Sequence, residues 1–179
     1  MPEEIYFRPV NRIGEVQPGF DVKPGVLEAR YKEPSEEYGE PGEWEPATDC
    51  FGSKVSKESG ILQCGLGESG YAACYADLNK ISTVYCARDP EETTLTEISE
   101  VDIHLSRGSE TRPWMLELAD GTKCAVRIGG SWGTADDGRE AHYGCEGVRA
   151  VMTLPDSPTN TGLYVEDNVM YALVGDLGV

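Results

Sequence analysis

The sequence predicts an all-β fold, an antiparallel sandwich or barrel-like sheet reinforced by disulfides and preceded by an extended, proline-rich N-terminal arm. Three observations lead there. Short β-branched and aromatic runs are divided by Gly, Asp and Asn, the punctuation of strands and turns. No such run alternates with a convincing amphipathic helix. Six cysteines, at 50, 64, 74, 86, 124 and 145, have no CxxC pair, no HExxH and no histidine-rich cluster among them, so disulfide bonding explains them better than metal or redox chemistry.

Along the chain, residues 1–48 read as an arm or linker and residues 49–179 as a single all-β domain. The first 48 residues hold seven of the eleven prolines, a density that forbids helix interiors and central strands. The stretch KEPSEEYGEPGEWEPATD has the composition of a disordered or extended linker. Yet Ile5, Tyr6, Phe7, Val10, Ile13, Val16, Phe20, Val22, Val26 and Leu27 make the first half too apolar for a solvated tail. An arm packed along the domain is expected, with a flexible spacer as the alternative. From Cys50 onward, ILQC, YAACYAD, ISTVYCA, VDIHL, WMLELA, TKCAVRI, GVRAVMT and VMYALVG each span strand length. TTLTEISEVDIHL has room for a short helix, but its Thr and Val favour strand. The clearest hairpin joins WMLEL to KCAVRI, because Asp120-Gly121 supplies the positive-φ residues of a tight turn.

Cysteine spacing argues against zinc, which needs close ligand pairs on short loops; Cys64 and Cys74, the nearest two, are too far apart in sequence. Six cysteines allow fifteen pairings. The pair to name first is Cys124 with Cys145, since the intervening RIGGSWGTADDGRE is turn-rich and its flanks look like two strands of one hairpin. Closing that loop stabilises the fold by roughly 3 kcal/mol on the chain-entropy model. The partners of Cys50, Cys64, Cys74 and Cys86 stay open. Disulfides place the protein outside the cytoplasm, secreted or membrane-anchored. The start MPEEIYFRPV has neither a basic n-region nor an apolar h-region, so a signal or anchor is expected to lie outside this chain, with a native cytosolic start, and reduced thiols, as the alternative.

Thirty-two Asp and Glu against fifteen Lys and Arg give a net charge of −17. That repels phosphate backbones and anionic lipid surfaces, so nucleic acid is not an expected partner. No apolar run reaches the roughly 20 residues of a membrane-spanning helix. Gly65-x-Gly67-x-x-Gly70 matches a dinucleotide fingerprint in letters, but YAACYAD follows it rather than a helix that would hold a pyrophosphate. It reads as a hairpin loop. Asp136-Asp137-Gly138 misses the calcium-loop spacing, and no metal or cofactor is expected.

His104 and His142 are the two imidazoles. His104 alternates with Ile103 and Leu105 as a surface strand residue would. His142 stands with Tyr143 at the end of a loop bearing Trp132, Asp136, Asp137 and Arg139, the densest set of polar reactive groups in the chain. These six are the candidate binding residues; no catalytic set is assigned. Carboxylates are too plentiful to single out a glycosidase pair. Trp44, Trp114 and Trp132 with Tyr143 have the makings of a sugar-stacking surface, but core or rim packing is the commoner role.

Residues 114–147, WMLELADGTKCAVRIGGSWGTADDGREAHYGCEG, carry an L-x-D-G-T-x-C … Y-x-C pattern through Leu118, Asp120, Gly121, Thr122, Cys124, Gly129, Gly130, Tyr143 and Cys145. This resembles an uncharacterised family of secreted or lipid-anchored bacterial envelope proteins, of actinobacterial type. The resemblance covers about a third of the chain. It implies export and a Cys124–Cys145 bridge, and carries no established activity. The function expected is a non-catalytic, extracytoplasmic module that binds a protein or another envelope component. The alternative is a hydrolase of envelope polymers built on the His142 loop.

Overall fold

The computed structural model describes residues 7–56, 60–65, 69–104, 113–118, 121–128, 140–145, 150–153, 163–165 and 171–172. The fold is all-β, and no helix occurs among these residues. The first sheet grows from a meander of β4 (Asp49–Gly52), β5 (Ile61–Cys64), β6 (Tyr71–Ala76), β7 (Val84–Ala87) and β8 (Thr94–Ile98), each antiparallel to the next. β1 (Asp21–Pro24) adds to one edge and β9 (Asp102–His104) to the other, and here the expected antiparallel pairing fails. Both β1 with β8 and β9 with β4 are parallel. Parallel partners join through long connections rather than tight turns, and local patterning carries no sign of them.

The position of β9 also fixes the shape of this sheet. β9 begins four residues after β8 ends, yet it pairs with β4, at the far side of the meander. Four residues reach at most about 14 Å, whereas five strand spacings across a flat sheet come to about 24 Å. The sheet therefore curls on itself. Both faces of its inner strands, β5 to β8, are buried, while the edge strands β1 and β9 are exposed. One face carries Cys50, Leu62, Cys64, Tyr71, Cys74, Val84, Cys86 and Ile98, and Leu27, Ala47 and Val101 complete that cluster. The other carries Ile61, Ala73, Tyr75, Tyr85, Ala87 and Leu95 and meets the second sheet. Burial on both faces is why YAACYA and VYCA read as continuous apolar runs instead of alternating ones.

The second sheet is antiparallel throughout: β10 (Met115–Leu118), β11 (Lys123–Val126), β12 (Glu140–Cys145), β13 (Ala150–Thr153), β14 (Leu163–Val165) and β15 (Tyr171–Ala172) lie in the order β14-β13-β12-β11-β10-β15. Trp114, Leu116, Cys124, Val126 and Tyr143 supply its half of the shared core. The turn before β11 holds Gly121 at φ 82°, the backbone that the Asp120-Gly121 reading requires.

The arm is tied into the domain as well. Val10 is 1 % exposed, and Phe7 packs edge-on between Phe20 and Trp114 at ring distances of 5.6 and 5.7 Å. The tyrosine hydroxyl of Tyr75 donates to the Phe7 carbonyl. In the glutamate- and proline-rich stretch, β2 (Arg30–Lys32) and β3 (Glu43–Glu45) form a separate two-stranded hairpin. Its Tyr31 and Trp44 rings meet at 5.5 Å and stay largely exposed.

All six cysteines are paired: Cys50–Cys64, Cys74–Cys86 and Cys124–Cys145. Each bridge joins residues directly opposite on adjacent antiparallel strands.

Candidate functional site: a cleft lined by both sheets

A cleft of about 400 Å³ opens where the sheets meet, within the usual range for a small-molecule site. The first sheet contributes Gly70, Ala72 and Arg88, and the second contributes Trp114, the run Ala125–Ile128, and Gly144. β11 and β12 place the last of these by register, with Ala125 opposite Gly144. Among the described residues the lining is apolar apart from two arginines, one beside each sheet.

Each arginine is held in place. Arg88 follows the last residue of β7 and lies over the Tyr71 ring at 4.4 Å. It donates to the Ser69 carbonyl at 3.4 Å and to the Tyr71 hydroxyl at 3.3 Å. Arg127 follows β11, and its backbone N–H donates to the His142 carbonyl at 2.8 Å. Its guanidinium passes over Gly144, where a Cβ would stand only 3.0 Å from Nε. A glycine is thus what lets that side chain lie close to the sheet. Gly70 plays the same part on the opposite wall, since a Cβ there would press on Ile128 at 3.2 Å.

The candidate residues from the sequence distribute unevenly around this cleft. Trp132, Asp136, Asp137 and Arg139 lie outside the described residues. His142 is half-buried on β12, two residues from Gly144. Tyr143 does not belong to a contact surface. It is 1 % exposed, sits in the shared core, and its hydroxyl donates to the Pro113 carbonyl at 2.8 Å. Strand alternation explains this, because Tyr143 pairs with Val126 on the inward face. Trp114 is likewise core, and Trp44 is exposed on the separate hairpin.

His104 is exposed on the edge strand β9, where its ring stacks on Phe51 at 4.8 Å and its Nε2 meets Asp49 Oδ1 at 3.0 Å. The Sγ atoms of Cys64, Cys74 and Cys86 lie within 4.8 Å of one another, but all three are oxidised and offer no thiolate to a metal. The Gly65–Gly70 segment joins antiparallel β5 and β6, as a hairpin loop does.

Arg88 and Arg127 were missed by sequence reasoning, which weighed the acidic excess and the histidines. Their common signal is position: each directly follows the last residue of a strand in an acidic chain. The protein-family models, curated proteins and solved structures compared with the chain give no match.

Proposed function

We propose that the chain is a non-catalytic binding module of the bacterial cell envelope, working outside the cytoplasm, and that its ligand seats in the cleft between the sheets. The cleft carries this reading. Its described lining pairs apolar surface with two guanidinium groups, which supply neither a nucleophile nor a proton carrier. Such a lining binds rather than transforms. Three disulfides fit an oxidising compartment, and the envelope assignment follows the resemblance of residues 114–147.

Ala125 is exposed and lines the cleft, so Ala125→Phe fills the site from the solvent side with little strain on the core. The immobilised full chain should retain a component of a solubilised envelope fraction, and Ala125→Phe should abolish that retention while the melting temperature holds. Equal retention by the variant would remove the cleft from the function.

A further inference from the structure

We infer that the cleft recognises an amphiphilic anion, an apolar body carrying a single carboxylate or phosphate head, with Arg88 and Arg127 clamping the head. This rests on the proposed binding role and adds the chemistry of what is bound. An apolar lining rewards an apolar body, and two guanidinium groups from separate elements present planar donor forks suited to an oxyanion.

Arg88 differs from the ion-paired lysines in what holds it. Among the described residues Lys32, Lys80 and Lys123 pair with Glu40, Glu97 and Glu91 respectively. Arg88 instead bonds a carbonyl and a hydroxyl and stacks on a ring. The nearby Glu92 carboxylate accepts from the Arg88 backbone N–H. Stacking fixes the guanidinium plane, so little freedom is lost when an oxyanion docks. The net charge of −17 opposes anion approach at long range. A Debye length of about 8 Å at physiological salt confines that opposition, and contact within the cleft is governed by the local pair.

The test is calorimetric titration of the oxidised full chain with octanoate, octyl phosphate, octanol and octylammonium. At least one of the two anions should bind about tenfold or more tightly than octanol, and more weakly as salt is raised. Preference for octanoate assigns a carboxylate head, preference for octyl phosphate a phosphate head, and parity a general oxyanion site. Arg88→Gln and Arg127→Gln should each weaken the anion about tenfold and leave octanol binding unchanged. Because Arg88 is exposed, Arg88→Gln keeps the test decisive if Arg127→Gln does not fold. Octanol binding as tightly as both anions, tighter binding of octylammonium, or undiminished anion binding in Arg88→Gln overturns the inference. Failure of every probe, with Ala125→Phe still abolishing envelope retention, overturns the anion clamp alone and leaves the binding role standing.

Discussion

Two glycines show how one substitution has opposite costs according to what it meets. At Gly14 the backbone sits at φ 87°, and an added Cβ would lie 2.6 Å from the Leu78 backbone nitrogen. Neither the conformation nor the neighbour can yield, so Gly14→Ala should destabilise by more than about 1 kcal/mol. At Gly144 the obstacle is the far end of Arg127, which can swing away. Gly144→Ala should leave stability within about 0.5 kcal/mol, the range of ordinary surface changes. Urea denaturation of both variants checks the contrast, and equal shifts would contradict it. Beside Gly14, Asp77 opens the turn between β6 and β7. Burial pushes its carboxyl up. The Asn79 N–H, the Tyr85 hydroxyl and the Lys80 backbone and ammonium outweigh that and hold it below the ordinary 3.8. A depressed folded-state value means that the carboxylate adds stability fully above pH 3.8 and loses it as pH falls through the lower value. Asp77→Asn should therefore reduce stability at neutral pH and flatten its decline below about pH 4. An acid-denaturation curve parallel to that of the parent would contradict this role.

At the scale of elements, the arm is the piece whose contribution is most easily measured. Val10 and Leu27 are buried at 1 % and 7 % exposure, and each apolar side chain of this kind contributes roughly 1.5–3 kcal/mol. Removing residues 1–27 also strips β1 from β8 and Phe7, with Phe20 packed against it, from Trp114. Against a total stability of about 5–15 kcal/mol, that truncation should lower the urea midpoint sharply. Replacing residues 30–45 by a short Gly/Ser link should change it little, because Trp44 is 71 % exposed and Tyr31 46 %. An unchanged midpoint after the first deletion would show that the arm contributes nothing. The arm's apolar residues were legible in the sequence; its strand was not. β1 reads DVKP, contains a proline, and is exposed along its length, so only its distant parallel partner makes it a strand. β5, β6, β7, β10 and β11 were legible because their runs are bounded by turn residues on both sides. β4 and β14 are three or four residues long with no such pattern. The cleft was illegible for a related reason: Arg88 and Arg127 lie 39 positions apart in the chain and converge only when the two sheets pack.

For the whole molecule, the disulfides brace each sheet but never tie one sheet to the other. Cys50–Cys64 and Cys74–Cys86 lie within the first sheet and Cys124–Cys145 within the second, so no covalent bridge holds the sandwich closed around its cleft, and the shared core carries most of that work, beside the Lys123–Glu91 ion pair. Trp114, 1 % exposed at that junction, should cost about 3–5 kcal/mol when cut to alanine, and a loss below about 1 kcal/mol by denaturant titration would place cohesion elsewhere. The four sulfurs of the first sheet also explain why pairing could not be read from spacing: three of them crowd within 4.8 Å, and strand register selects the partners. Their surroundings further set an order of reduction. Cys50, Cys64, Cys74 and Cys86 are all 0 % exposed, whereas Cys145 is only half-buried. Thiol–disulfide exchange requires an attacking thiolate to reach a sulfur. Mild reductant under native conditions should therefore open Cys124–Cys145 first, and alkylation followed by peptide mass spectrometry should find label on those two residues while the other four stay paired. The opened form should lose roughly 3 kcal/mol for a loop of this length on the chain-entropy model. Label reaching Cys50, Cys64, Cys74 or Cys86 before Cys145 would mean that the first sheet opens more readily than its burial on both faces allows.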